Sequence, residues 1–263
     1  MVAMLGFTIK KAFFDTWDHL LPIMGLNLLF LVVIAIPFSA APLMAAATEP
    51  GAAAVFGVGL LVMFVFAGAV SEVIRNVTDY QGIELRELLG AFRRTYAGSL
   101  LFGAIFLLHL LVLGISVPVY FAMEHFIGLL ALIVLFWVSI IWWLACQFYF
   151  PIRSRLGDPP LKSLKKSFIV FFDNPGFAAF TGFGSLFLIL GSYVMPLFLL
   201  IPGPTGLMVW IHVAFKLRLH KYDYLEENPD ADRKRIPWTA LISEDREKVG
   251  PRTFKGMIFP WKE

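Results

Sequence analysis

The chain alternates long apolar segments with short polar connections. Six segments are continuously apolar: residues 20–38, 52–74, 99–121, 126–152, 177–201 and 205–219. About 20 apolar residues are needed for a helix to cross the hydrocarbon layer of a membrane. Only helices and closed barrels pair all their backbone polar groups in that layer, and continuous rather than alternating apolar runs indicate helices. We therefore predict an all-α polytopic membrane protein with six transmembrane helices, the last of them short.

The lysines and arginines predict the orientation of these helices. All thirteen that precede residue 220 lie in alternate connections: Lys10, Lys11, Arg75, Arg86, Arg93, Arg94, Arg153, Arg155, Lys162, Lys165, Lys166, Lys216 and Arg218. Cytoplasmic loops of membrane proteins keep an excess of lysine and arginine. The pattern predicts a protein of the bacterial cytoplasmic (inner) membrane with both the N-terminus and the C-terminus in the cytoplasm.

A polar segment follows the membrane domain, which we place at residues 1–220. Residues 221–263 carry 18 of the 41 formal charges, nine of each sign, and are predicted to form a charged cytoplasmic tail. The tail ends in an apolar stretch that includes Phe254, Ile258 and Trp261. Disordered segments rarely keep such residues together, so we expect this stretch to dock on the inner face or on anionic lipid.

The chain also repeats itself with a period of 76–79 residues. Each repeat begins with apolar residues three and four apart that have basic residues between them. A span with a proline near its outer end follows. The returning span then ends in an arginine and an aspartate. The matching positions are Ile9 and Phe13; Leu85, Leu88 and Phe92; Leu161, Leu164 and Phe168; Pro37, Pro118 and Pro196; and the three Arg–Asp elements Arg75 and Asp79, Arg153 and Asp158, and Arg218 and Asp223. The pattern predicts three like-oriented hairpins, about 5–80, 81–158 and 159–223, each preceded by an amphipathic interfacial helix.

Strongly polar residues inside apolar spans are candidates for a functional site. Four of them are Asn27, His109, Gln147 and His212. They either line a cavity between the three hairpins or join neighbouring helices by hydrogen bonds, and the sequence leaves both interpretations open.

Seven charged residues at the inner ends of the spans are candidates for contacts of the cytoplasmic face: Glu72, Arg75, Asp79, Arg153, Asp158, Arg218 and Asp223. Glu72 and Arg75 are three residues apart and so share one face of a helix. The three Arg–Asp elements either form a ring that docks a partner or the tail, or hold arginines that extend toward lipid phosphates.

Composition limits the possible functions. Apolar residues make up 59% of the chain and charged residues 16%, against about 45–50% and about 25% in soluble domains. The basic residues lie in predicted cytoplasmic loops, which argues against nucleic-acid binding. We recognise no catalytic or metal-binding motif and predict no cofactor, no metal and no catalytic residue.

Some short motifs resemble the YesL-type family of small bacterial integral membrane proteins. They are Asn27-Leu28-Leu29-Phe30, Ile36-Pro37, Lys166-Ser167-Phe168, Asn174-Pro175 and Leu200-Ile201-Pro202-Gly203. The resemblance covers most of residues 9–225. It implies an accessory role, because that family has been linked to carbohydrate uptake systems, and it transfers no site residues.

Three functions follow as hypotheses. The first is a non-enzymatic accessory or scaffold subunit of a membrane complex, for example a transport complex. Its cytoplasmic face contacts a membrane protein partner or a second copy of the chain. The second is a transporter or channel for a small solute or lipid. The third is a lipid-modifying enzyme, which needs titratable groups that converge with Glu72 near the inner leaflet.

Overall fold

A computed structural model describes residues 2–44, 49–233, 235–253 and 256. The described residues are 85% helical and contain no strand. The helices are α1 (Val2–Asp18), α2 (Leu20–Met44), α3 (Glu49–Thr78), α4 (Leu85–Phe121), α5 (Phe126–Cys146), α6 (Tyr149–Leu156), α7 (Pro160–Asp173), α8 (Pro175–Val194), α9 (Leu197–Leu200), α10 (Gly203–Glu227), α11 (Trp238–Leu241) and α12 (Ser243–Val249).

Five helical stretches are long and apolar enough to cross a membrane, with mean hydropathies from 1.7 to 2.6. They are Leu20–Phe38, Ala53–Thr78, Arg86–Phe121, Phe126–Leu156 and Pro175–Val194. The prediction of an all-helical membrane protein is confirmed at this level. The first five predicted spans each overlap one of these stretches.

Proline positions explain two breaks in the helices. Pro22 has no N–H to donate to the carbonyl four residues earlier, on Asp18, and the helix breaks there between α1 and α2. In the same way Pro151 leaves the carbonyl of Gln147 without its helical donor. α5 ends at Cys146, one residue before Gln147. The predicted fourth span is therefore two helices, α5 and α6.

The connections of α7 follow from local signals. Gly157 ends α6 in the left-handed conformation, with φ of 64°, and its N–H bonds the carbonyl of Arg153. Pro160 begins α7 and Pro175 begins α8. Asn174 caps α8 because its Oδ1 accepts the N–H of Phe177 at 3.0 Å.

The predicted interfacial helices differ from one another in the structure. α1 and α7 are separate helices, but the corresponding segment at 85–92 continues into the membrane span as the single helix α4. No proline interrupts α4 before Pro118, which explains why it stays continuous. The threefold repeat remains a prediction.

The sixth predicted span lies in α10, which is longer than expected and crosses the predicted domain boundary at residue 220. It is not among the five apolar stretches, because Lys216, Arg218 and Lys221 lie in its second half. α10 packs between α1, α2, α3 and α8, and much of it is buried. A helix enclosed by other helices does not need an apolar surface on every side.

α10 runs in the same direction as α3 and begins about half-way along it. His212 Nε2 lies 2.9 Å from Ser71 Oγ, and Lys216 Nζ bonds the carbonyl of Thr78 at 2.8 Å. Gly203, the first residue of α10, is nine residues before His212. Nine residues before Ser71 on the parallel helix is Val62, so α10 begins near the middle of α3. The connection from α8 to α10 therefore enters the bundle well inside the apolar layer.

Asn27 of α2 pairs the irregular backbone at this point. Its Nδ2 donates to the carbonyls of Leu200 at 2.8 Å and Pro202 at 2.7 Å. Its Oδ1 accepts the N–H of Thr205 at 2.8 Å. Asn27 is fully buried. Because no water is available in the hydrocarbon layer, one side chain here supplies what the broken helix lacks.

We predict that N27A destabilises the protein by about 1–3 kcal/mol, since two carbonyls and one N–H lose their partner in a buried site. The measurement is the midpoint of unfolding in mild detergent with increasing sodium dodecyl sulfate. The matched control is N228A, because Asn228 is exposed and its Nδ2 bonds only the carbonyl of Tyr224 in its own helix. Equal midpoints for N27A and N228A contradict the prediction.

Candidate functional site

Most of the charged side chains that form ion pairs lie at one end of the bundle, which we call the basic end. α3 finishes there, in contact with α1, α6 and α10; α7 packs on α6, and α11 and α12 pack on α1. Trp238, Ile242 and Val249 of the tail are buried in the main apolar core. The tail from α11 to α12 is thus a docked part of the fold. The predicted docking of the apolar stretch with Phe254, Ile258 and Trp261 lies outside the described residues.

Lys216 is at the centre of a group of paired charges, which we call the ion cluster: Lys11, Asp15, Asp79, Tyr80, Arg155, Lys216, His220 and Asp245. Lys216 Nζ lies 3.2 Å from Asp79 Oδ1 and 3.3 Å from Asp245 Oδ1. The Lys216 side chain is 15% exposed. One lysine of α10 therefore links the loop after α3 to the tail helix α12.

Arg155 of α6 holds the other side of Asp79. Its Nη1 lies 3.1 Å from both oxygens of the Asp79 carboxylate, and its Nη2 donates to Thr78 Oγ1 at 2.5 Å. Arg155 was not among the predicted site residues. One nitrogen of the guanidinium thus contacts both carboxylate oxygens while the other bonds the neighbouring hydroxyl, which fixes the end of α3 against α6.

Tyr80 lies in the middle of the cluster with a backbone φ of 63°, a conformation that few residues other than glycine adopt. Lys11 Nζ is 3.7 Å from the centre of its ring and Lys216 Nζ is 4.6 Å from it. Its hydroxyl donates to Asp245 Oδ1 at 2.6 Å. Backbone strain of this kind persists where the surroundings hold the residue in place.

Burial and charge act in opposite directions on the carboxylates of the cluster. Burial raises the pKa of Asp15 to about 6, although Lys11 at 2.8 Å opposes the shift. Burial also acts to raise the pKa of Asp245, but hydrogen bonds from His220 and Tyr80 and the charge of Lys216 outweigh it and hold this pKa well below its ordinary value. Asp245 is therefore ionised at neutral pH.

A second group of charges joins α7 to α10. Arg218 Nη2 lies 2.9 Å from Asp173 Oδ2, and Lys221 Nζ lies 2.8 Å from the same oxygen. Arg218 is 1% exposed, and its guanidinium is 5.8 Å from the ring centre of Trp238 in the tail. Asp173 was missed from the sequence because it is 45 residues from Arg218.

The three predicted Arg–Asp elements do not have equivalent contacts. Arg75 Nη1 donates to the carbonyl of Ser154 at 2.6 Å, and Arg153 Nη1 donates to the backbone carbonyl of Asp158 at 3.0 Å. The carboxylate of Asp158 pairs with Lys162 at 2.7 Å and with Lys166 at 2.5 Å. Asp223 is exposed and forms no ion pair with the described residues. These arginines connect helices of the same chain.

The four polar residues inside the spans have separate contacts. Asn27 bonds the start of α10, and His212 faces Ser71 of α3. Gln147 Nε2 donates to the carbonyl of Ala178 in α8 at 3.0 Å. The ring of His109 stacks on that of Trp142 in α5, with centres 5.2 Å apart. Each of the four residues thus joins a different set of neighbours.

Glu72 lies in a small polar pocket between α3 and α4, together with Arg75, Asn76, Glu87 and Arg94. The pocket has a volume of about 170 Å³. Two titratable carboxylates and two guanidiniums therefore converge where the α3 span reaches the basic end. The sequence indicated Glu72 and Arg75, whereas the α4 residues were recognisable only from the packing.

We predict that D245N loosens the docking of α12, because Tyr80, His220 and Lys216 lose the carboxylate that they share. Hydrogen bonds to charged groups contribute about 2 kcal/mol each, which corresponds to roughly 30-fold faster exchange. Hydrogen–deuterium exchange of Ser243–Val249 measures the effect. E247Q is the matched control, since Glu247 is an exposed carboxylate of the same helix. Equal exchange in both variants contradicts the role of the cluster.

We also predict that α12 stays docked between pH 8 and pH 5. The pKa of Asp245 is held below its ordinary value of 3.8, so its carboxylate stabilises the folded state above that value. The contribution is lost only as the pH falls further, through the folded-state pKa. The check is the same exchange measurement, corrected for the intrinsic pH dependence of exchange. Undocking of α12 already at pH 5 contradicts the assignment.

Neither a scan against models of known protein families nor a search of curated proteins found a match for this chain. The resemblance to the YesL-type family stays a prediction.

Proposed function

We propose that the protein is a non-enzymatic accessory or scaffold subunit of a complex in the bacterial inner membrane. Its basic end lies in the cytoplasm and contacts the partner. In this proposal α9, the connection after it and α10 together make the sixth crossing, and the chain forms three like-oriented hairpins. The arrangement of the two chain ends supports it: Lys10 Nζ of α1 bonds the carbonyl of Gly250 at 3.0 Å, and Arg252 lies 2.8 Å from Asp18.

The single observation that carries the proposal is the ion cluster. It joins α1, the loop after α3, α6, α10 and α12 through charges that pair with one another. Partly buried charges that are paired and hydrogen-bonded hold a defined geometry. Because these mostly buried charges are paired with one another, they hold the surrounding helices in one arrangement, and the exposed residues of those helices form a fixed surface that suits a docking platform.

A second surface within the membrane supports a partner as well. In the most apolar part of α3, 44% of the residues are buried. In the most apolar part of the Arg86–Phe121 span, and likewise of the Phe126–Leu156 span, only 11% of the residues are buried. Large side chains such as Phe126, Val134 and Trp137 are exposed along α5. Helices associate in membranes by close packing, so this hairpin offers a contact surface for a membrane partner or a second copy.

The other two hypotheses have less support. A transport cavity lined by Asn27, His109, Gln147 and His212 is not favoured, because each of these residues is used in a different helix contact. The lipid-modifying enzyme gains the pocket around Glu72. That pocket has carboxylates and guanidiniums, and no serine, cysteine or histidine is among the residues that line it.

Photo-crosslinking in cells tests the proposed function. A photoreactive residue replaces exposed Lys165 at the basic end or exposed Val134 on the hairpin. We expect a discrete protein adduct at one or both positions. The control position is Val58, which is exposed on α3 outside both surfaces. Absence of any protein adduct at Lys165 and Val134 contradicts the proposal.

The proposed orientation has its own test. In a C146A background, K165C and M123C are treated with a membrane-impermeant maleimide in intact cells. We expect labelling of M123C, in the connection between α4 and α5, and protection of K165C until the cells are opened. Both residues are at least partly exposed, so both can react once reached. Labelling of K165C in intact cells overturns the orientation.

A further inference from the structure

The pocket between α3 and α4 has charged groups that the fold leaves only partly satisfied. Glu72 Oε1 lies 3.7 Å from Arg94 Nε and 3.9 Å from Arg75 Nη1. Both distances exceed the usual range of a hydrogen bond, and no hydrogen bond reaches the Glu72 carboxylate from the described residues. The Glu72 side chain is only 19% exposed. A carboxylate in this setting benefits from a further donor.

The other side of the pocket has the same character. Glu87 Oε2 accepts one bond, from Asn76 Nδ2 at 2.8 Å. Arg94 is 60% exposed and has no contact within hydrogen-bond distance among the described residues. Gly90 has no side chain, and Arg94 Nη1 lies 3.2 Å from the position that a Cβ would take there, so the glycine leaves room for the guanidinium. The pocket thus presents free acceptor positions and free donor positions side by side.

The position of the pocket points to the headgroup layer of a membrane. Glu72 is six residues before the end of the Ala53–Thr78 span. Arg94 precedes the continuously apolar part of α4, which begins at residue 99. One turn of helix rises about 5.4 Å, so these side chains lie within two turns of the boundary of the apolar layer, where phospholipid headgroups are found.

We propose that this pocket binds the headgroup of an aminophospholipid, with the phosphate at Arg94 and the ammonium at Glu72. A headgroup with only negative charge is disfavoured by the two carboxylates, and a simple cation is disfavoured by the two guanidiniums. A zwitterion with both charges close together fits both pairs. The volume of about 170 Å³ is below the roughly 300–1,000 Å³ of sites for drug-sized ligands, which suits a small headgroup.

An ammonium that donates hydrogen bonds is part of this assignment. Phosphoethanolamine offers three N–H donors to Glu72 and Glu87, as lysine does. Phosphocholine has the same charges but no N–H donor and three additional methyl groups. The pocket therefore distinguishes ethanolamine from choline headgroups, and both of them from glycerol headgroups, by hydrogen bonding and charge.

Native mass spectrometry of the purified full-length chain tests the proposal. The protein is supplied in separate samples with phosphatidylethanolamine, phosphatidylcholine and phosphatidylglycerol of identical acyl chains. We expect one ethanolamine lipid to be retained with at least about tenfold higher occupancy than either of the others, as expected from the loss of one charge-assisted hydrogen bond. Equal retention of all three lipids, or preferred retention of phosphatidylglycerol, overturns the proposal.

Variants locate the site. E72Q and R94Q each remove one charge of the pocket and should lower the occupancy of phosphatidylethanolamine about tenfold. The matched controls are E84Q and R93Q, since Glu84 and Arg93 are exposed on the same helix or next to it and do not line the pocket. Retention that is unchanged in E72Q and R94Q, or reduced equally in the controls, overturns the site.

Two further measurements separate binding from folding and lipid from metabolite. Unfolding midpoints of E72Q and R94Q close to that of the unmodified chain show that lost retention reflects the pocket, and E72D should recover part of it. Soluble phosphoethanolamine is the second ligand. Weaker binding than that of the lipid supports a membrane headgroup site, whereas equal binding overturns the assignment to a lipid.

Discussion

Backbone polar groups without partners cannot remain in the hydrocarbon layer, and this constraint shapes the centre of the protein. α10 begins half-way along α3, so the chain between α8 and α10 has no continuous helix at that depth. Asn27 bonds two carbonyls and one N–H of this connection. Because these groups have no water to bond, the position of α10, and with it that of Lys216 and Arg218, depends on one side chain of α2.

The basic end applies the same rule to charges. Lys11 and Arg218 are almost fully buried, and an isolated buried charge costs several kcal/mol, on the order of the entire stability of a domain. Each of them has a carboxylate within 2.9 Å. Asp15 lies in the same helix as Lys11, whereas Asp173 reaches Arg218 from another helix, so the charge of Arg218 is satisfied only when α7 and α10 are in place together. Lys216 and His220 of α10 pair in turn with Asp245 of α12, which explains why a tail rich in charge folds onto the bundle.

The helical membrane character and several of the charged residues at the basic end could be predicted from the sequence, because continuous apolar runs and basic residues are local signals. Glu72, Arg75 and Asp79 were recognised in this way. Asp173, Asp245 and Arg155 were not recognised, since their partners are distant in the chain. Asp173 is 45 residues or more from its partners, and Arg155 is 76 residues from Asp79. Asn27 was recognised as a polar residue inside a span. Its role could not be predicted, because it depends on the helix break before α10, and the apolar pattern does not show that break.

The helix that the hydropathy criterion leaves out is also the one that organises the others. α10 contacts α1, α2, α3 and α8, and it carries His212, Lys216 and Arg218 to the positions where they pair. Helices that face lipid must be apolar on their outer surface, whereas an enclosed helix exchanges lipid for protein and can carry polar groups if they are bonded. In this chain apolar composition therefore identifies the helices that face outward, and the polar residues identify the centre.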